Sequence, residues 1–148
     1  MHRPYGGFYL EAMDSHGGWI GSAIDLMRFV TAVDGSRTTP FGQPEAVALA
    51  VSRPDPPLWR GSDYYYGMGW NVQPVGSDAV WWHSGSLEGT ATILVRTHNG
   101  HAWAALFNSR PRGSDKFLDD LVMAISKAVS EVTEWSAHDL FLQYDSHP

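Results

Sequence analysis

Residues 80–108 constrain the fold most, because their pattern is that of consecutive antiparallel strands. Residues 80–84, 90–97 and 101–108 are rich in β-branched and aromatic side chains, and glycine-containing turns separate them. The dipeptide Asn99-Gly100 lies between the last two segments. It is the pair that most readily adopts the positive φ angles of a type I′ turn. We therefore predict a β-hairpin formed by residues 90–97 and 101–108.

Helices are predicted before this region. Ser22 and Asp25 have the Ser-x-x-Asp spacing of a capping box, and an apolar stripe of helical period follows until Asp34-Gly35. A shorter helix is predicted from Pro44, since proline suits the first helical turn, to about residue 51. Residues 66–73 predict a strand interrupted by glycine, followed by a turn at 76–78.

After the hairpin, Ser114 or Asp115 is predicted to cap a long amphipathic helix that ends near residue 133. The order of elements predicts an α+β fold, in which an antiparallel meander of about three to four strands packs on helices that include this long C-terminal helix. We expect residues 1–148 to form a single domain. Its less regular parts are an irregular lead-in at 1–21, a loop at 53–63 and a tail at 134–148.

Composition excludes several classes of function. The net charge is −6 and the ten basic residues are scattered, which disfavours nucleic-acid binding. The absence of cysteine excludes disulfide frameworks and thiolate zinc sites. The seven histidines show no metal-binding spacing, and we predict no metal and no cofactor. No apolar stretch approaches the ~20 residues needed to span a bilayer. Residues 1–7 lack the apolar core of a signal peptide, which leaves the compartment open.

The tripeptide His83-Ser84-Gly85 carries the clearest chemical signal. It resembles the third active-site motif, Lys/His-Thr/Ser-Gly, of the serine β-lactamase and penicillin-binding-protein superfamily. Residues 17–29, 66–70 and 104–108 are similar to further stretches of that superfamily. Together they look like the C-terminal part of class C β-lactamase-related serine hydrolases, whose relatives include esterases and peptidases.

The resemblance implies a role for each residue of this segment. His83 would be an electrostatic or proton-handling residue, and Ser84 a hydroxyl that orients the substrate. The small Gly85 would let a substrate carbonyl lie against the strand. The backbone N–H of Ser86 would be one donor of an oxyanion hole, which stabilises negative charge as it develops.

The other two motifs of the superfamily, Ser-x-x-Lys and Ser/Tyr-x-Asn, are not found. The residues three before the two lysines are Gly113 and Ala124, and none of the three asparagines follows a serine or tyrosine by two positions. A nucleophilic serine needs a base within hydrogen-bond reach. We therefore expect the C-terminal portion of a serine hydrolase of amide or ester bonds, inactive alone. The alternative is a non-catalytic binding or interaction module derived from that fold.

The resemblance also implies partners. Superfamily topology places N-terminal strands beside the last strand, here residues 101–108. An unpaired strand of this kind is a template for another chain. We expect residues 101–108 to pair with a second copy of the chain, as in a dimer, with the chain's own N-terminal segment, or with a missing N-terminal half encoded separately. In that full-length context the substrate would be a small molecule or a peptide.

Overall fold

The computed structural model describes residues 7, 9–13, 17–55, 63–110 and 116–144. The chain divides into two compact units, Met1–Arg110 and Pro111–Pro148. The first unit contains a sheet and two helices, and the second contains the long helix. That all 148 residues act as one domain stays a prediction. No helix among the described residues is both long and apolar enough to cross a membrane.

The sheet confirms the predicted α+β class and its antiparallel meander. It has five strands in the order β1-β2-β3-β4-β5, and each strand pairs antiparallel with the next. The strands are β1 (Tyr65–Tyr66), β2 (Asn71–Val75), β3 (Asp78–Leu87), β4 (Thr90–Arg96) and β5 (Ala102–Phe107).

The prediction of one interrupted strand over residues 66–73 is wrong, because the chain reverses there. The Gly67 N–H donates to the Trp70 carbonyl at 2.8 Å, and Gly69 has a φ of +84°. Glycine reaches that left-handed region without steric cost. The segment therefore forms the two short strands β1 and β2 around a tight turn.

The β4–β5 hairpin is confirmed, but its turn is not type I′. That turn needs a positive φ at both central residues, and within the described residues only glycines have one. The Thr97 N–H donates to the His101 carbonyl at 2.8 Å, and the Gly100 N–H donates to the Thr97 carbonyl at 3.1 Å. The connection is thus a three-residue loop in which Gly100, at φ +85°, takes the left-handed position.

Helix α1 (Ala23–Val33) begins with the predicted capping box. The Asp25 N–H donates to Ser22 Oγ at 3.2 Å, and the Ser22 N–H donates to Asp25 Oδ2 at 2.8 Å. That backbone donor lowers the pKa of the Asp25 carboxyl below its usual value. The box is therefore made with a charged carboxylate at the positive end of the helix dipole. Gly35, at φ +88°, follows the C-cap, as the sequence predicts.

The other helices agree with the sequence in part. Pro44 opens the second helix, as predicted. The predicted caps Ser114 and Asp115 lie outside the described residues, and the prediction is wrong, because the N-cap of the long helix is Lys116, which makes no side-chain cap hydrogen bond. Positions 56–62 of the expected loop and 145–148 of the expected tail also lie outside the described residues. Besides α1, the described residues form a 3-10 turn at Leu10–Met13 and helices α2 (Pro44–Ala50), α3 (Phe117–Glu131) and α4 (Phe141–Tyr144).

Apolar residues of α1 and of the sheet face that carries Trp81 form one buried cluster of the first unit. The opposite face of β4 and β5 is also buried, at Ala91, Ile93, Val95 and Trp103. Val30 of α1 and Val72 of β2 are completely buried, and α1 packs against β5. The Trp70 and Trp81 rings meet edge to face with centroids 5.8 Å apart. Such a pair adds ~0.5–1.5 kcal/mol beyond the area it buries. The full buried cluster is Val30, Tyr65, Trp70, Val72, Trp81 and Leu94.

A charged pair fixes the register of β3 against β4. Arg96 pairs with Trp81 across the strands, and its guanidinium lies 4.9 Å from the centre of the Trp81 ring. The same guanidinium donates to Asp78 Oδ1 at 2.9 Å. The hydrogen bond from the Ala79 N–H is the main reason that the pKa of the Asp78 carboxyl lies below its ordinary value, and the charge of Arg96 lowers this pKa further. Arg96 of β4 thus contacts both Asp78 and Trp81 of β3.

Replacing the cap residue tests the local origin of α1. We expect Ser22→Ala to lower the free energy of unfolding by about 1 kcal/mol, because it removes the acceptor for a helix N–H. Urea denaturation followed by circular dichroism measures this. Ser22→Asn is the control, since asparagine caps helices as well as serine does. Equal stability of the alanine variant and the wild type would contradict the role of this cap.

Candidate active site

The His-Ser-Gly segment lies in the part of β3 that extends beyond the end of its pairing with β2. Strand β2 pairs with β3 only as far as Asn71, which lies opposite Trp82. Strand β4 continues to pair with β3 up to Leu87, opposite Thr90. Within the part of the chain that the structure describes, residues 83–87 therefore have a strand neighbour on the β4 side only. The structure places all four predicted site residues on this half-paired edge.

The direction of the backbone groups along β3 follows from the neighbouring hairpin. The Thr97 N–H donates to the His101 carbonyl, so the backbone groups of Thr97 face β5. Backbone groups alternate in direction along an antiparallel strand. Even-numbered residues of β4 therefore face β3, and their partners there, which include His83, face β4. By the same alternation, the N–H and C=O groups of Ser84 and Ser86 point to the unpaired side.

The side chains of the segment divide between the two faces of the sheet. Successive side chains of a strand project to opposite faces, so His83 and Gly85 share the face of the buried Trp81. Ser84 and Ser86 project from the other face, and both are exposed. The structure thus brings the four residues to one edge but not to one face. A ligand would meet all four only by lying along that edge.

His83 has a partner that the sequence did not single out. The Tyr66 hydroxyl lies 3.0 Å from His83 Nε2, and the two rings meet edge to face with centroids 6.0 Å apart. The two residues are 17 positions apart in the sequence. Tyr66 opens the stretch 66–70 that resembles the superfamily, but that likeness does not indicate which side chain it contacts. The hydrogen bond is a product of the tertiary fold.

Contacts with the end of α2 hold the segment that carries Tyr66. The Met68 N–H donates to the Ala50 carbonyl at 2.9 Å. The Tyr65 hydroxyl donates to the Val51 carbonyl at 2.7 Å. A Cβ atom on Gly67 would lie 2.5 Å from the Ala50 oxygen, so only glycine fits there. These contacts fix the backbone on both sides of Tyr66.

Gly85 has a packing role that is separate from any substrate. It lies opposite Thr92 in the β3–β4 pair, and a Cβ atom at Gly85 would lie 2.6 Å from Thr92 Oγ1. A threonine side chain is stiff about χ1 and cannot withdraw freely. Glycine is therefore required for the close approach of these two strands, as well as for the access that the resemblance implies.

The described residues contain no cluster of side chains that could bind a metal ion. Among them, no three His, Asp or Glu side chains lie close enough together to bind a metal ion. The chemistry available at the edge is that of an imidazole, two hydroxyls and backbone donors. Such groups bind and polarise a carbonyl, and they exchange protons.

The structure combines an antiparallel sheet with a His-Ser-Gly segment on a strand that is half-paired among the described residues, which is consistent with part of a β-lactamase-like fold. A comparison with protein families agrees with that class. The family model described as Beta-lactamase matches residues 2–127, and the chain belongs to that family. No curated protein and no solved structure matches the chain significantly.

Adding one methyl group at Gly85 tests the packing of the edge. We expect Gly85→Ala to lower the free energy of unfolding by about 1–3 kcal/mol, because overpacking forces the neighbour to move. Urea denaturation measures the loss. The double variant Gly85→Ala/Thr92→Ala should recover part of it, since Thr92 Oγ1 is then absent.

Gly21→Ala is the matched control for this substitution. A Cβ atom there would approach nothing closer than 3.9 Å, so we expect little change in stability. A Gly85→Ala variant as stable as Gly21→Ala would show that the contact with Thr92 does not restrict residue 85.

Proposed function

We propose that this chain forms one wall of the cleft of a β-lactamase-related serine hydrolase that acts on amide or ester bonds. One observation carries the proposal: among the described residues, positions 83–87 of β3 have no strand partner on one side, in a chain that belongs to the Beta-lactamase family. The Ser84 and Ser86 backbone groups point to that side. A substrate lying along the edge would find directional donors and acceptors already in place.

Each residue of the edge has a proposed part in acyl transfer. The Ser86 N–H donates to the substrate carbonyl and stabilises the oxyanion that forms when the carbonyl is attacked; one such donor is worth ~10²–10³ in rate. His83 supplies an electrostatic or proton-transfer group. The Ser84 hydroxyl orients the substrate, and Gly85 admits the substrate close to the strand.

The attacking serine is proposed to lie on polypeptide outside these 148 residues. No Ser-x-x-Lys occurs in the sequence, and a serine without an adjacent base is a weak nucleophile. The chain alone would then bind a small-molecule or peptide substrate without cleaving it. Catalysis would require the two parts of the cleft to come together.

A non-catalytic binding module is the second candidate. The same half-paired edge can accept an extended peptide by strand addition, which needs no nucleophile. The lack of the Ser-x-x-Lys and Ser/Tyr-x-Asn motifs favours this function. The coding sequence upstream distinguishes the two candidates, because an in-frame Ser-x-x-Lys supports the hydrolase.

A serine-reactive probe tests the proposed hydrolase. We expect no covalent labelling of the 148-residue chain by a fluorophosphonate or a penicillin, as followed by intact-protein mass spectrometry. The longest natural reading frame that contains the chain should be labelled at the serine of a Ser-x-x-Lys. There, His83→Gln should slow labelling by roughly 10²–10⁴, the range typical of a lost proton-transfer group.

His98→Gln is the matched control, since His98 is an exposed residue of the β4–β5 loop and should label at the wild-type rate. Labelling of a serine in the 148-residue chain would refute its inactivity. An unlabelled longer protein that still binds peptides would favour the binding module.

Strand β5 is the proposed site of pairing with another chain. It is the last strand of the sheet and contacts only β4 among the described strands. By the alternation along β4 and β5, the N–H groups of Ala104 and Leu106 point away from β4. Leu106 is 39% exposed. We propose that the missing N-terminal half covers this edge in the full-length hydrolase, and that a second copy covers it when the chain is alone.

A pair of proline variants tests the pairing. We expect the chain to be a dimer by light scattering, with slow hydrogen exchange at Ala104 and Leu106. Leu106→Pro should give a monomer that remains folded, because proline removes an outward N–H and is tolerated at a free strand edge. Ala105→Pro is the control: its N–H faces β4, so its loss should lower stability instead. A wild-type monomer with rapid exchange along residues 103–107 would count against the pairing.

A further inference from the structure

We propose that Tyr66 is a positioning residue: its hydroxyl donates to His83 Nε2 and so fixes the orientation of the imidazole and the nitrogen that carries its proton. The observations are the 3.0 Å distance between the Tyr66 oxygen and His83 Nε2 and the edge-to-face contact of the rings. That this matters for substrate rests on the proposed function. The hydrogen bond itself does not, and it can be tested separately.

The strand lengths explain how Tyr66 reaches His83. Tyr66 pairs with Asn71, and Asn71 pairs with Trp82, the residue just before His83. Asn71 is the first residue of β2. Beyond it no β2 residue separates β1 from β3. The Tyr66 side chain therefore passes the start of β2 and contacts His83 directly.

The Tyr66 backbone is held firmly enough to act as a support. Its two neighbours are attached to the end of α2, through the Tyr65 hydroxyl and through Gly67, which packs against the Ala50 carbonyl. A side chain whose backbone is anchored on both sides loses less entropy when it makes a contact. The Tyr66 side chain that bonds to His83 thus starts from a backbone position that other contacts hold, although the pair itself is exposed.

The chemistry of the two groups sets the direction of the hydrogen bond. A tyrosine hydroxyl both donates and accepts, whereas a neutral imidazole has one donor and one acceptor nitrogen. The phenol O–H is the more acidic donor and the imidazole nitrogen the more basic acceptor, so O–H to nitrogen is the matched pairing. His83 Nε2 then accepts, and Nδ1 carries the hydrogen.

This arrangement has a functional consequence at the edge. A neutral histidine side chain in water prefers the form with hydrogen on Nε2. Tyr66 selects the other form and restrains rotation of the ring. His83 would then offer an N–H donor at Nδ1 to an anionic group of the substrate, without first taking up a proton. Tyr66 acts through His83 and needs no contact of its own with substrate.

Nitrogen-15 spectra of the imidazole side chains test this inference on the 148-residue chain at mildly alkaline pH. The His83 signals are assigned by their loss in His83→Gln. We expect Nδ1–H in the wild type and a change toward Nε2–H in Tyr66→Phe, which keeps the ring and removes only the hydroxyl. Tyr65→Phe is the matched control: it removes a neighbouring hydroxyl, but the Met68 N–H still attaches the segment to the Ala50 carbonyl, so His83 should keep its hydrogen on Nδ1.

Three results would overturn the inference: Nε2–H in the wild type, no change in Tyr66→Phe, or the same change in Tyr65→Phe. The first result needs only the spectrum of the wild type, so it can overturn the inference even if a variant does not fold. Because the measurement needs no nucleophile, it also separates the two proposals. If the tautomer of His83 depends on Tyr66 but the longest natural reading frame is not labelled by the serine-reactive probe, the proposed hydrolase is refuted. The pairing of Tyr66 with His83 then still stands.

Discussion

Strand β3 has ten residues and its neighbour β2 has five, and the candidate site depends on this mismatch. Among the described residues, the half of β3 beyond Trp82 has no strand partner on the β2 side, and the proposed binding of a chain or ligand rests on these exposed backbone groups. Strand β2 begins at Asn71, directly after the tight turn in which the Met68 N–H donates to the Ala50 carbonyl at the end of α2.

The buried aromatic residues give that edge a fixed position. Trp81 is almost fully buried between Trp70 and the Arg96 guanidinium. His83 is two residues further along the same strand and so lies on the same face. Phe29 of α1 stacks on Trp70 with ring centroids 6.2 Å apart. The core therefore fixes the strand backbone that carries His83, whereas the exposed imidazole itself contacts Tyr66.

Local signals in the sequence predicted much of the fold, and long-range contacts account for the rest. The Ser22 capping box, Pro44 and the β4–β5 hairpin each depend on residues close together in the sequence, and each is confirmed. The reversal within residues 66–73 has local signals in Gly67 and Gly69, but the attachment of its turn to the Ala50 carbonyl is a long-range contact that no local pattern reveals. For the site, the motif located the edge, whereas the contact with Tyr66 arises only when β1 and β3 come together.

The alternation of side chains on β3 places Ser84 and His83 on opposite faces of the sheet, so the side chain at residue 84 can change without a change at His83. Ser84 projects from the face opposite His83, and its exposed side chain is not part of the core beneath the imidazole. If the edge binds substrate as proposed, replacing Ser84 would change one face of the edge and leave the face of Trp81 and His83 as it is. Ser84 lies opposite Ile93, which is 3% exposed, so evolution is expected to use small polar replacements that leave the packing of Ile93 intact.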